Sequence, residues 1–250
     1  MIAAVMNQKG GCAKTTASLN LGTIAALEGK KTCLIDMDPQ GNLTKTFTQL
    51  QEGQPTIANI LKYRAPFQET IIETITPNLF LIPAQDDLST FERSEAINPR
   101  ISYQLKEALQ PETGNFDLIL IDTPPTLGAL TINAMVAAQY LIIPIEPSVY
   151  GMQGANALLL TYTLVKKNLN PGLKILGVLI NMYDPGTRIA KEAEEEIRKV
   201  FKEKVLTTMI HRSVKLKEAP AAGQSIVTYS PKSKAAQEYR EAYRELMARV

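Results

Sequence analysis

The stretch Ile2-Ala3-Ala4-Val5-Met6-Asn7-Gln8-Lys9-Gly10-Gly11-Cys12-Ala13-Lys14-Thr15-Thr16 decides how the rest of the chain is read. It opens with a strand-length apolar run over residues 2–6 and closes at the start of a helical pattern predicted for 16–27. Between the two, glycines let backbone N–H groups turn inward around a phosphate, and the helix presents its positive N-terminal end to the same anion. Lys14 is then placed to reach β- and γ-phosphates, and the Thr15 hydroxyl to ligate Mg²⁺. The strict pattern G-x-x-x-x-G-K-[ST] fails, because Gln8 and Ala13 occupy both glycine positions. Context restores the match: a strand before, a helix after, and an aspartate at the end of a separate buried strand. The bland alternative is a lysine-rich turn before a helix.

That aspartate closes Phe116-Asp117-Leu118-Ile119-Leu120-Ile121-Asp122. A carboxylate at the end of a buried strand is where Mg²⁺ is held in phosphoryl-transfer sites. Many strands end in Asp at a turn, so Asp122 gains its weight from Lys14-Thr15. Further strand-like runs are predicted at 32–35, 79–82, 140–145 and 175–180, and long helices at 153–167 and 188–202. Residues 51–75 resist assignment, with Gly53, Pro55 and Pro66 breaking any period. Near-continuous apolar strands alternating with helices predict a doubly wound α/β fold, its mostly parallel sheet covered by helices on both faces. Ligands bind such sheets at the carboxyl ends of the strands. Without a repeat, a low-complexity segment or a linker, residues 1–250 are expected to form a single domain with a basic C-terminal segment over 205–250.

Composition agrees. The 250 residues are 45% hydrophobic and 21% charged, with mean hydropathy -0.07. These values exclude collagen, disorder and a disulfide-stapled miniprotein. A net charge of +2 gives no whole-chain nucleic-acid signature. The charge is unevenly spread, however: residues 188–250 hold 14 Lys+Arg against 9 Asp+Glu, and residues 1–187 hold 13 against 16. Cys12 and Cys33 fit no metal or disulfide spacing, and Cys33 reads as a small core residue. No apolar run approaches the roughly 20 residues that span a bilayer. The N-terminus also lacks the basic flank and cleavage site of a signal peptide, so the expected location is the cytoplasm.

Lys9-Gly10-Gly11-x-x-Lys14-Thr15-Thr16 resembles the deviant Walker A motif of the ParA/MinD ATPases, whose usual form has Gly at the position of Ala13. Asp36-Met37-Asp38-Pro39-Gln40-Gly41-Asn42 is similar to the second motif of that family, and Asp122-Thr123-Pro124-Pro125 to its Walker B and switch II. Arg212-Ser213-Val214-Lys215-Leu216-Lys217-Glu218-Ala219-Pro220, Gly223, Tyr229-Ser230-Pro231-Lys232-Ser233-Lys234 and Asn181-Met182-Tyr183-Asp184 resemble the chromosomal ParA/Soj branch. The resemblance covers essentially the whole chain.

It implies an ATP- and Mg²⁺-dependent P-loop ATPase, weak on its own and stimulated by a partner. Residues Lys9, Gly10, Gly11, Cys12, Ala13, Lys14, Thr15 and Thr16 would bind the nucleotide. Lys9 would be the signature lysine, reaching across a homodimer interface to the other subunit's phosphates. Asp38 would position the attacking water, Asp36 would support the Mg²⁺ shell held by Thr15 and Asp122, and Asn181 and Met209 would lie near adenine. The ATP-bound dimer would bind nonspecific DNA over the nucleoid. With a ParB-like or other adaptor protein it would partition or position a DNA or organelle cargo. A MinD-like membrane-associated positioning ATPase and a P-loop metabolic ligase are the alternatives. A redox ATPase like the nitrogenase iron protein would need cluster-ligating cysteines away from the loop.

Two readings of Ala13 stay open. If its backbone needs positive φ, Ala costs about 1–2 kcal/mol; if the site needs only a small side chain, the methyl is tolerated. The matching flanks favour the second. Cys12 is read as a space-filler, with a thiol of lowered pKa at a helix N-terminus as the alternative. Arg198 and Lys199 lie among the basic residues on one side of the 188–202 helix, which puts Ile189, Ala193, Ile197 and Phe201 on the other. That basic side is either a DNA surface or a solvated face paired with nearby glutamates. Lys215, Lys217, Lys232 and Lys234, with Arg212 and Arg240, face only Glu218 and Glu238 over residues 205–240. They are the better DNA candidates. Tyr239, Tyr243, Leu246 and Val250 at helical spacing predict a last helix docked on the core rather than on a membrane. His211 reads as structural.

Overall fold

Buried strands of alternating contacts organise the protein, whose computed structural model describes residues 1–94 and 99–250. The strands are β1 (Ile2–Val5), β2 (Thr32–Asp36), β3 (Ile72–Glu73), β4 (Leu79–Ile82), β5 (Leu118–Asp122), β6 (Tyr140–Ile145) and β7 (Lys174–Ile180). They form one sheet in the order β3-β4-β2-β5-β1-β6-β7. Every neighbouring pair is parallel except β3 with β4 at the edge. Successive strand residues point to opposite faces, so each strand supplies two cores. Ile2 and Ala4, Cys33 and Ile35, and Ile119 and Ile121 enter one. Ala3 and Val5, Leu34, and Leu118 and Leu120 enter the other.

The helices are α1 (Lys14–Leu27), α2 (Asn42–Phe47), α3 (Ile57–Tyr63), α4 (Phe67–Thr70), α5 (Leu88–Ser94), α6 (Gln104–Leu109), α7 (Ala129–Ala137), α8 (Val149–Asn168), α9 (Arg188–Phe201), α10 (Lys215–Ala221), α11 (Ile226–Tyr229) and α12 (Lys234–Met247). α1 and α12 cover one face, and α7 and α8 the other. β1 lies between β5 and β6. The loops after these three strands therefore converge at the carboxyl edge, where the strand order reverses and ligands bind.

The structure departs from the sequence reading at identifiable places. α1 begins at Lys14, two residues early, because Ala13 takes the N-cap position. α8 begins at Val149, where the Ser148 hydroxyl accepts from the Gly151 N–H at 3.1 Å. Part of 51–75 is ordered by a reciprocal Thr56–Asn59 capping box that starts α3. On α9, Ile189 is 62% exposed rather than on the packed side, where Ala190, Ile197 and Phe201 are buried. Tyr239, Tyr243 and Leu246 dock on the core as expected, but α12 ends at Met247 and leaves Val250 exposed. Among the described residues, no helix is long and apolar enough to cross a membrane.

Candidate active site

Ala13 settles its own two readings. Its φ of 66° and ψ of 35° place it in the left-handed region, so the expectation that only side-chain size matters there is corrected. The methyl is accommodated at a backbone cost of about 1–2 kcal/mol. No side chain caps α1, so its first-turn N–H groups are free for an anion. Lys14 is buried, lines the adjoining cavity and hydrogen-bonds the Lys9 carbonyl at 3.3 Å. Cys12 is buried against the same carbonyl, and burial raises its thiol pKa despite nearby lysines. It fills space, and the reactive-thiol alternative falls.

The two strand-end aspartates are in register, Asp36 on β2 opposite Asp122 on β5. Asp122 Oδ1 accepts from the Ser18 hydroxyl at 2.9 Å, while its buried Oδ2 has no hydrogen-bond partner. The Thr15 hydroxyl also acts on the Asp122 carboxyl, and a fully buried carboxylate oxygen near a hydroxyl is a donor set that suits Mg²⁺. Burial, then the charge of Asp36, push the Asp122 carboxyl upward; a bound cation would relieve both effects. Asp36 is also raised by burial. Its oxygens are engaged within the 36–44 loop, accepting from the Asp38 N–H at 3.0 Å and from the Thr44 N–H and hydroxyl at 2.9 and 2.8 Å. Asp36 thus braces the loop that carries Asp38.

Asp38 lines the cavity, and its carboxylate accepts from the Gln40 N–H at 2.9 Å. The loop turns sharply at Gly41, where φ is 60° and a Cβ would lie 2.9 Å from the Ala84 carbonyl oxygen. The cavity holds about 790 Å³, bounded on one side by the phosphate loop and Asp38 and on the other by Asn181, Met182 and the 211–220 segment. That volume is within the range of nucleotide-sized sites. Asn181 lines it but is already engaged, donating to Tyr239 Oη at 3.1 Å and accepting from the Met182 N–H. Met209 packs against the core instead of lining the cavity, and Lys217 lines the cavity.

Lys9 points elsewhere. Its ammonium is ion-paired with Glu146 and donates to the Ser148 hydroxyl at 3.1 Å. Glu146, Ser148 and Ser18 were not legible as site residues, although Ser18 lies one helical turn after Lys14 on the Asp122 side. Glu92 was missed as well: its carboxylate accepts from the Thr126 hydroxyl and the Leu130 N–H, so α5 supplies the cap that α7 lacks. A Cβ at Gly128 would overlap the Glu92 carboxylate and displace that side chain from its cap position.

The basic candidates separate into groups. Arg198 and Lys199 pair with Glu194 and Glu196 at 2.9 and 2.5 Å, which favours the solvated-face reading for α9. Arg212, Lys215 and Lys234 converge on a cleft of about 260 Å³ at the start of α12. Lys232 is exposed nearby. Arg240 clasps the Pro231 and Val227 carbonyls.

A family model described as an AAA domain matches residues 1–175. The sporulation initiation inhibitor protein Soj of Bacillus subtilis is 41% identical over 250 residues, covering 99% of this chain and 98% of that protein. The chromosome partitioning protein ParA of Myxococcus xanthus is 39% identical over 249 residues, covering 99% and 88%. Among solved structures, cobyrinic acid a,c-diamide synthase of Mycobacterium smegmatis is 31% identical with a TM-score of 0.85, covering 98% of this chain and 93% of that one. It has been seen with ADP and magnesium, and with an ATP analogue and magnesium.

Proposed function

The chain belongs to the AAA-domain family of ParA/Soj chromosome-partitioning ATPases, with ATP and Mg²⁺ as cofactors, and from that premise we propose that residues 1–250 act as one nucleotide-switched domain. ATP brings two copies together, the dimer binds DNA without sequence preference, and an adaptor of ParB-like or other type stimulates a weak intrinsic turnover. The protein then works on the nucleoid in the cytoplasm, partitioning or positioning a DNA or organelle cargo. The observation that carries this reading is the division of labour between two lysines: Lys14 faces the cavity, whereas Lys9 is turned away from it towards Glu146 and Ser148.

Phosphoryl transfer is mostly positioning and charge neutralisation. The uncapped N–H groups of α1 and the Lys14 ammonium hold the phosphates. Thr15 and Asp122 would hold Mg²⁺, which would supply charge neutralisation at the phosphates. Asp38, braced by Asp36, orients the attacking water, and Lys9 serves the nucleotide of the partner subunit. Asn181 and the 211–220 wall enclose the base. Lys215, Lys232 and Lys234 are the DNA-contacting candidates in one place, while Lys217 sits at the nucleotide wall; Arg198 and Lys199 form a second, weaker candidate surface.

The likeness to the Mycobacterium smegmatis synthase supports a metabolic-ligase reading, under which turnover would be indifferent to DNA and adaptor. The membrane-associated reading is opposed by the burial of Tyr239, Tyr243 and Leu246, which leaves α12 no apolar face to offer a bilayer. Lys14→Ala should abolish nucleotide binding, whereas Lys9→Ala should retain binding to the monomer and lose dimerisation and turnover. Sedimentation with ATP and Mg²⁺ decides: an undiminished dimer in the Lys9 variant removes the trans-acting lysine.

A further inference from the structure

Glu146, at the end of β6, holds two cations from different parts of the chain. One carboxylate oxygen pairs with Lys9 of the phosphate loop, and the other accepts from Arg212 Nη2 at 3.0 Å. The Lys9 and Glu146 side chains are only 21% and 16% exposed, so neither charge is easily left alone. The Lys9 backbone is fixed as well, its N–H donating to Asn7 Oδ1 at 3.1 Å. Ser148, which receives the Lys9 ammonium, is itself fixed as the N-cap of α8. The lysine is therefore seated by side chains of its own subunit, and only its side chain must swing for it to leave.

We propose that Glu146 is a positioning residue that retains Lys9 within its own subunit, so that assembly of the ATP dimer exchanges the Glu146 carboxylate for the partner's phosphates. Both seats are anionic, so the ammonium is never stranded in the exchange. Arg212, on the second carboxylate oxygen, keeps Glu146 paired after Lys9 departs, which makes the exchange feasible at a poorly hydrated site. Glu146 thereby sets how readily ATP assembles the dimer. The second half rests on the trans-acting role of Lys9 proposed above, but the retention belongs to a single subunit and is tested by itself.

Glu146→Gln keeps the shape and removes the charge, and its melting temperature reports whether the fold survives. In nucleotide-free protein, acylation of Lys9 by N-hydroxysuccinimidyl acetate, followed by peptide mass spectrometry and normalised to exposed Lys232, should be several-fold faster in the variant. An unchanged rate overturns the retention. Arg212→Ala should leave Lys9 acylation at the parent rate or slower; if it accelerates acylation like Glu146→Gln, the effect belongs to Arg212 and the proposal fails. With a non-hydrolysable ATP analogue and Mg²⁺, the dimer of Glu146→Gln should tighten about tenfold, the scale of a modest coupling between sites. A dimer of equal or lower affinity overturns the proposed exchange. If the parent forms no dimer at all, the trans-acting lysine falls, and the acylation rates alone decide whether Glu146 retains Lys9.

Discussion

Ala13 carries the clearest local consequence of this chain's departure from its family pattern. Its positive φ is set by the turn into α1, and a glycine would take that conformation without the Cβ penalty. Ala13→Gly should therefore stabilise the nucleotide-free protein, by about 1 kcal/mol once the greater freedom of glycine in the unfolded chain is subtracted. Urea denaturation checks this, and a loss of stability would show that the methyl contributes packing that outweighs the strain. Asp38 is a different kind of residue. It faces the cavity but belongs to neither the phosphate loop nor the orphaned Asp122 oxygen, so its removal should spare binding. Asp38→Ala should accumulate an ATP-bound dimer and lower steady-state hydrolysis by about 10²-fold or more, the usual weight of a residue that positions or activates the nucleophile. Normal turnover in that variant removes Asp38 from the mechanism.

Among the elements, α12 is tied to the crossover after β7 by Glu245, whose carboxylate accepts from the Thr207 and Thr208 N–H groups, each at 2.7 Å, and from the Thr208 hydroxyl. Burial pushes this carboxyl up, but the two threonines and Arg249 outweigh it and hold it below its ordinary value of 4.5. A carboxyl lowered on folding stabilises the fold fully above that ordinary value and loses the contribution as pH falls through the folded one. Glu245→Gln should cost about 1 kcal/mol at pH 7, consistent with partly exposed charge-assisted hydrogen bonds, and progressively less as the pH falls below 4.5 through the folded pKa. A pH-independent difference in chemical denaturation would contradict this.

The same element shows what was legible in the sequence. The spacing of Tyr239, Tyr243 and Leu246 gave its buried face, as the apolar runs gave β1, β5 and β6 and their terminal residues gave Asp122 and the phosphate loop. Those signals are local and periodic. The Glu146–Lys9 pair, the Glu92 cap of α7 and the engagement of Asn181 by Tyr239 join residues about 137, 38 and 58 positions apart. They depend on strand order, which a single sequence does not carry. Short helices such as α2 and α6 were missed because six residues are too few to display a period.

At the scale of the whole molecule, the charge imbalance of residues 188–250 acquires a location. Arg212, Lys215 and Lys234 gather at one cleft with Lys232 nearby; Arg212 pairs there with Glu146 and Lys234 with Glu238 at 3.6 Å, and Lys199 and Arg198 pair with glutamates on their own helix. A DNA surface built there in a dimer doubles every phosphate contact. Binding should accordingly fall steeply with salt, each contact contributing a slope of about -0.9 in log K against log[salt].

Because dimerisation and DNA binding are claimed to be one switch, anisotropy of a fluorescent random-sequence duplex, titrated with the protein across salt concentrations in Mg²⁺ with ATP or ADP, tests both together. With ATP the parent should bind, with a salt slope that loses nearly two units in magnitude when Lys215, Lys232 or Lys234 is singly replaced by Ala and the contacting lysine is lost from both subunits. With ADP it should not bind. Equal binding with ADP, or no binding with ATP, would contradict the account of a nucleotide-switched DNA-binding dimer.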